Sequence, residues 1–228
     1  MSPSNPRKLD VVVSFLEMPA PPERAPATIP PGKVAIVRAE NLTLSFYRYL
    51  YDTVGEPWLW WQRRLMSDDE LGPILALPET HVYVLYVAGV PAGFAELDLG
   101  DLEENGVIDL HYMGLIPDFI GKGYGKYLLN WAIDTAWGLK PRRLTVNTCT
   151  LDHPSALGAY QKAGFVVYDQ RTDIVDDPRD VGLIPPIDHH VDHTGNQDGE
   201  APDSGSATEN ADNANSDTLI VDFPERAR

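Results

Sequence analysis

A chain of 228 residues, 43% of them hydrophobic, has apolar surface for one domain with a substantial core and too little for two large ones. Its formal charge of −16 opposes duplex nucleic acid as a partner, because affinity there rests on Lys and Arg displacing counterions from phosphates. Asp10, Glu17, Arg48 and Glu96 interrupt the longest apolar runs, so no membrane span is expected, and a single cysteine, Cys149, closes no internal disulfide and fits a reducing, cytoplasmic setting.

From the N-terminus, Leu9 to Glu17 and Lys33 to Ala39 read as strands, joined by a stiff, extended connector dense in proline from Pro19 to Pro31. No small-residue cleavage site follows the short stretch Val11 to Val13, so a signal peptide is not expected. Asn41 to Val54 has a loose helical spacing that stops at Gly55. Pro57 suits the first turn of a helix over Trp58 to Met66, and Ser67 with Glu70 has capping-box spacing for a third short helix. His81 to Ala88 and Ala92 to Leu99 read as a hairpin, and Val107 to Ile116 as the next strand. Gly123 to Leu139 is a helix with an apolar face of Leu128, Leu129, Ala132, Ile133 and Ala136. Arg143 to Thr150 is a strand, Pro154 to Ala163 a helix ending at Gly164, and Phe165 to Asp169 a last strand.

After Gln170 the composition turns to Asp, Asn, Ser, Gly and Thr. Residues 171–228 hold 14 Asp or Glu against 4 Arg, a net of −10, which leaves −6 for the preceding 170. Such a segment cannot offset its chain entropy by burial, so an acidic tail is expected over 171–228, disordered from about residue 175, with Thr218 to Phe223 apolar enough to dock weakly. The expected division is residues 1–32 as strand and connector, 33–170 as the main folded domain, and 171–228 as tail.

The strongest local signal is Leu115-Ile-Pro-Asp-Phe-Ile-Gly-Lys-Gly-Tyr-Gly-Lys126, set between a strand and a helix. Glycines there let backbone N–H groups turn towards a ligand, and the helix N-terminus adds partial positive charge, which suits a pyrophosphate. Ordinary tight turns use glycine at the same spacing. A second signal lies downstream at His153-Pro-Ser-Ala-Leu-Gly-Ala-Tyr-Gln-Lys-Ala-Gly-Phe165.

Together the two segments resemble the cofactor motifs of the GNAT superfamily of N-acetyltransferases. The family's Gln/Arg-x-x-Gly-x-Gly/Ala loop corresponds to Ile120-Gly-Lys-Gly-Tyr-Gly125, with Ile120 in place of Gln or Arg. Its Asn-x-x-Ala-x-x-x-Tyr-x-x-x-Gly-Phe motif finds Ala156, Tyr160, Gly164 and Phe165 in register, with His153 in place of the asparagine. The resemblance implies an α/β fold of the α+β type: a mixed, mainly antiparallel sheet, helices on both faces, and a splayed strand pair holding acyl-CoA. It implies acetyl-CoA as co-substrate, its pyrophosphate held by Gly121, Lys122, Gly123, Tyr124, Gly125 and Lys126, and its pantetheine arm paired with Met113, Gly114 and Leu115. His153 either donates to the cofactor arm or serves as a helix-capping neighbour of Pro154.

The chemistry follows from the amine. An aliphatic amine with a pKa of about 10 is protonated at neutral pH, so transfer requires a base, and the departing thiolate requires an acid. The resemblance places that acid at Tyr160, whose alternative is plain core packing. Asp109, fourteen residues before Gly123, has the placement of the catalytic glutamate in histone-type members. Strand alternation sets His111 on the same face unless a bulge intervenes, and Glu96 on the preceding strand is a third candidate base. Tyr47, Tyr49, Tyr51, Trp58, Trp60 and Trp61 crowd the helices that the resemblance places on the acceptor side, near Asp52, Glu56 and Glu96, either as walls for a cationic or aromatic amine or as core. No metal is expected; the run Asp188-His-His-Val-Asp-His193 falls in the tail. The expected partners are acetyl-CoA and an amine acceptor, with no nucleic acid or membrane, and a homodimer stays open. A catalytically silent acyl-CoA-binding regulatory module is the alternative, and a mononucleotide-binding domain lacks the Gly-Lys-Ser/Thr ending it needs.

Overall fold

Seven strands, β1 (Lys8–Met18), β2 (Val34–Arg38), β3 (Thr80–Val87), β4 (Val90–Asp98), β5 (Val107–Leu115), β6 (Arg143–Cys149) and β7 (Val166–Asp176), form one sheet in the order β2-β3-β4-β5-β6-β1-β7. The computed structural model describes residues 5–185. Neighbouring strands are antiparallel except β5 and β6, which run parallel. Helices α1 (Leu44–Gly55), α2 (Gln62–Leu65) and α3 (Asp68–Leu75) precede β3, and α4 (Leu102–Asn105) joins β4 to β5. The crossover that parallel pairing requires is α5 (Tyr124–Gly138), and α6 (Ala156–Ala163) leads into β7.

Strand alternation divides the core between two faces. On one, Leu128, Ala132, Ile133 and Ala136 of α5 pack on Leu97, Ile108, Leu110, Leu144 and Val146. On the other, Tyr47, Leu50, Tyr51 and Val54 of α1 meet Val82, Val84 and Phe94, with Leu71 of α3 behind them. The four α1 residues recur at helical spacing, and Thr43 caps the helix by accepting the Phe46 N–H. Glu70 closes the expected box at α3 by accepting the Ser67 N–H at 2.7 Å. The sheet is thus mixed and mainly antiparallel with helices on both faces, as the sequence predicts.

Three stretches depart from the sequence reading. The helix expected over Trp58 to Met66 is instead a 3₁₀ turn, Glu56–Trp58, then Leu59 in the left-handed region at φ +54, then the single turn of α2. Burial of Leu59, and the Trp60 N–H donating to Gly55 O at 3.0 Å, override helical continuation. The short α4, closed by Gly106 at φ +71, went unanticipated because it is one charged turn.

The third departure concerns the boundaries. β1 is not a separate N-terminal piece; it lies between β6 and β7. β7 continues to Asp176, pairing Lys8 with Asp176 at one end and Glu17 with Val166 at the other. Residues 171–176, placed by composition in the tail, are therefore strand, and beyond them Asp177 and Ile184 are fully buried. Edge position explains the miss, since β7 carries polar residues through most of its length while Val175 alone is buried. The proline-dense connector runs over α5, where Asp134 accepts the Ala27 N–H at 2.7 Å and pairs with Arg24 at 2.9 Å. Thr218 to Phe223 lies outside the described residues.

Candidate active site

The parallel pairing is short. It runs from Val107 opposite Arg143 to Leu110 opposite Val146 and stops there, while β5 continues to Leu115 along β4 and β6 continues to Cys149 along β1. A gap therefore opens between β5 and β6. It begins at a bulge: Leu97 pairs with Leu110 and Glu96 with Tyr112, which makes His111 the extra residue. Past the bulge, Met113–Leu115 keep one edge on β4 and turn the other to the gap, where an extended ligand can add as a strand would. Gly114 admits no side chain, because a Cβ would stand 2.4 Å from Val54 Cγ1 of α1.

From the end of β5 the chain passes through a 3₁₀ turn, Pro117–Phe119, into the glycine loop. Gly121 and Gly123 take φ +79 and +86, and a Cβ on either would meet nothing within 4 Å, so backbone shape rather than crowding calls for glycine. Gly123 caps α5; Tyr124, Gly125 and Lys126 form its first turn, whose N–H groups lack intrahelical acceptors. The Gly121 to Gly123 backbone is exposed, and Lys122 holds its ammonium 5.7 Å from the Phe119 ring centre. An anion docked there would meet the N-terminus of α5, with Lys122 and Lys126 in the same segment. Ile120 packs against the core.

Beside the gap, Asp109 is 5% exposed and accepts from Thr145 Oγ1 at 2.6 Å, with His111 Nδ1 3.2 Å from its other oxygen. The bulge thus leaves these two predicted residues together. Tyr160, 7% exposed, lies edge-on to Phe165, and burial, then the charges of Asp152 and Asp109, push its hydroxyl well above the usual phenol range. A phenol so placed keeps its proton at neutral pH. Glu96 is in a different cluster under α1: 1% exposed, it accepts from Arg63 Nη2 at 2.9 Å and from the Tyr47 hydroxyl at 2.6 Å.

His153 Nδ1 accepts the Ser155 N–H at 3.0 Å just ahead of α6, and its ring meets Trp58 edge-on at 4.9 Å. Its neighbour Asp152 is the better connected residue. Oδ1 accepts from Trp60 Nε1 at 3.0 Å, and Oδ2 from Thr148 Oγ1 at 2.7 Å and the Cys149 N–H at 2.9 Å. The aromatic residues divide accordingly: Tyr47 and Tyr51 are core, Tyr49 is exposed, and Trp58, Trp60 and Trp61 are half-buried. Among the described residues no cluster of His, Cys, Asp and Glu could hold a metal ion, and the run from Asp188 to His193 lies outside them. No helix of the described residues is long and apolar enough to cross a membrane.

A family model, the acetyltransferase (GNAT) family, matches residues 44–165. The chain belongs to the GNAT acetyltransferase family. Within this GNAT chain the matched segment contains the glycine loop, the gap and Tyr160, and leaves out β1, β2 and β7. An uncharacterized N-acetyltransferase of Methanocaldococcus jannaschii is 30% identical over 109 residues, 46% of this chain and 44% of that protein, so the chain spans less than half its relative's length. A tandem GNAT protein from the clavulanic acid biosynthesis pathway superposes with TM-score 0.52 at 11% identity, over 71% of this chain and 51% of that one. A GCN5-related N-acetyltransferase from Sphaerobacter thermophilus gives 0.50 at 15%, over 74% and 51%. A functionally unknown conserved protein from Staphylococcus epidermidis gives 0.50 at 14%, over 75% and 63%. These likenesses show the GNAT fold alone. Sequence reasoning missed Asp152, Thr145 and Arg63; for Asp152 the available signal was a carboxylate beside His153, at the mouth of the second motif.

Proposed function

We propose that this chain transfers an acetyl group from acetyl-CoA to a primary amine, of a small molecule, amino acid or peptide, by direct attack with Tyr160 as general acid. The observation that carries the reading is the run of one continuous feature, from the β5 edge at Met113–Leu115 to the first turn of α5, beside a buried tyrosine that retains its proton. Pantetheine adds along β5, pyrophosphate rests on the Gly121 to Lys126 backbone, and a β5 N–H polarises the thioester carbonyl. His111, oriented by Asp109, takes the amine proton directly or through water. The C–N bond forms, the tetrahedral intermediate collapses, the C–S bond breaks, and Tyr160 protonates the departing thiolate. Cys149 is a poor acyl carrier, because burial pushes its thiol up to about 11, which favours direct attack over a thioester on the protein.

The test offers acetyl-CoA with a broad amine panel and follows released thiol. Tyr160→Phe should lower kcat by about 10²-fold with cofactor affinity unchanged, since only a transition-state interaction is lost. Asp109→Asn should show its deficit mainly at lower pH, where deprotonating the amine matters most. Tight acetyl-CoA binding without turnover on any amine would replace this reading with the silent acyl-CoA-binding module.

A further inference from the structure

The gap between β5 and β6 has two banks, and the Trp60–Asp152 side-chain pair reaches across it. On the β5 bank stands Trp60, anchored by its own N–H to Gly55 O and packed on Tyr51 and Tyr112 with ring centres 5.4 and 5.3 Å away. Its indole lies over Gly114, where a Cβ would meet Trp60 Cη2 at 3.6 Å. On the other bank Asp152 sits in the turn that follows β6 and takes the indole N–H at 3.0 Å. Trp58 on His153 makes a parallel contact beside it. The turn bearing both tryptophans holds Leu59 at φ +54, unfavourable for a residue with a Cβ and retained where flanking contacts fix it.

The donor set explains why this residue is a carboxylate. Three donors, the Trp60 indole, the Thr148 hydroxyl and the Cys149 N–H, converge on two oxygens. A carboxylate accepts all of them, whereas an asparagine must turn its NH2 towards at least one N–H or O–H. The glycine loop enters the gap from the α5 face, and Trp60 belongs to the α1 face, so the indole borders the approach left to the second substrate.

We infer that Asp152 is a positioning residue for the acceptor: by holding the Trp60 indole across the gap it fixes the wall along which the amine reaches the thioester. The inference rests on the acyl-transfer reading above. The same carboxylate acts on Tyr160 together with Asp109, to which His111 is bonded, and its charge favours the protonated phenol.

Steady-state kinetics of wild type, Asp152→Asn, Trp60→Phe and the double variant, on an amine the wild type acetylates, test this. Each single variant should raise acceptor KM about tenfold while the acetyl-CoA KM stays within about twofold, the size expected for one charge-assisted hydrogen bond. The double variant should be no worse than Trp60→Phe alone, because the new amide then faces no indole N–H. Wild-type acceptor KM in both single variants, or additive losses in the double, overturns the positioning role. If Asp152→Asn does not fold, Trp60→Phe, which keeps an aromatic ring, decides through acceptor KM. A wild type that acetylates no amine sinks the acyl-transfer reading itself and this inference with it.

Discussion

Glu96 on β4 commits both carboxylate oxygens, one to the Arg63 guanidinium and one to the Tyr47 hydroxyl. A base must reach the proton it takes, and a side chain so engaged beneath α1 is better suited to holding α2 against the sheet. Glu96→Gln leaves the Arg63 charge buried without its counter-ion, a change that costs about 3 kcal/mol in comparable pairs. Urea melts should show that loss while turnover per folded molecule stays within a few-fold; a selective collapse of kcat in a stably folded Glu96→Gln would return Glu96 to the base position. At this scale the sequence was legible where a motif is local. Gly121, Gly123 and Tyr160 stand in short motifs that are read off directly. Asp152 and Arg63 are not, because their partners Trp60 and Glu96 are 92 and 33 positions away, and only the closed sheet brings them together.

Among the elements, the gap and α5 act as one unit, and the unit depends on backbone shape at Gly123. Its φ of +86 sets the turn that enters α5; an alanine there costs about 1–2 kcal/mol or pulls the turn into another shape. Gly123→Ala should therefore weaken acetyl-CoA binding at least tenfold by calorimetry. Gly158→Ala, inside α6 with nothing within 4 Å of the added Cβ, should leave binding alone and stabilise the fold by about 0.5–1 kcal/mol. Equal effects of the two substitutions would detach the loop from the cofactor. Elements with strong periodicity, α1, α5 and the β3–β4 hairpin, were legible within a few residues of their ends. The helix expected after Pro57 was not, because its apolar residues serve an aromatic cluster rather than a helical stripe: Trp60 alone meets Tyr51, Phe94 and Tyr112.

Over the described chain, strands from its two ends, β1 and β7, complete one side of the sheet. β1 separates β6 from β7, and Arg7 reaches past its end to Asp180 at 2.8 Å and Asp177 at 3.1 Å. Asp177 is fully buried, its carboxylate also bonded to Arg179, and its N–H donates to Arg7 O at 2.8 Å. A division of the chain by composition at residue 170 cuts this arrangement in half, since net charge and polarity do not register an edge strand that buries a single side chain. The consequence is measurable by truncation. A chain ending after Gln170 loses the β7 partners of Lys8 to Val13, together with buried Val175, Asp177 and Ile184, and leaves six residues of β1 with an open edge. It should lose cooperative thermal unfolding or aggregate. A chain ending after Pro185 keeps every one of those contacts and should melt cooperatively and bind acetyl-CoA as the full chain does. Hydrogen exchange on the full chain should agree, with amides of residues 171–176 that bond β1 protected alongside those of β6. Cooperative unfolding of the shorter chain at an unchanged midpoint, or free exchange of those amides, would detach β7 beyond Gln170 from the fold.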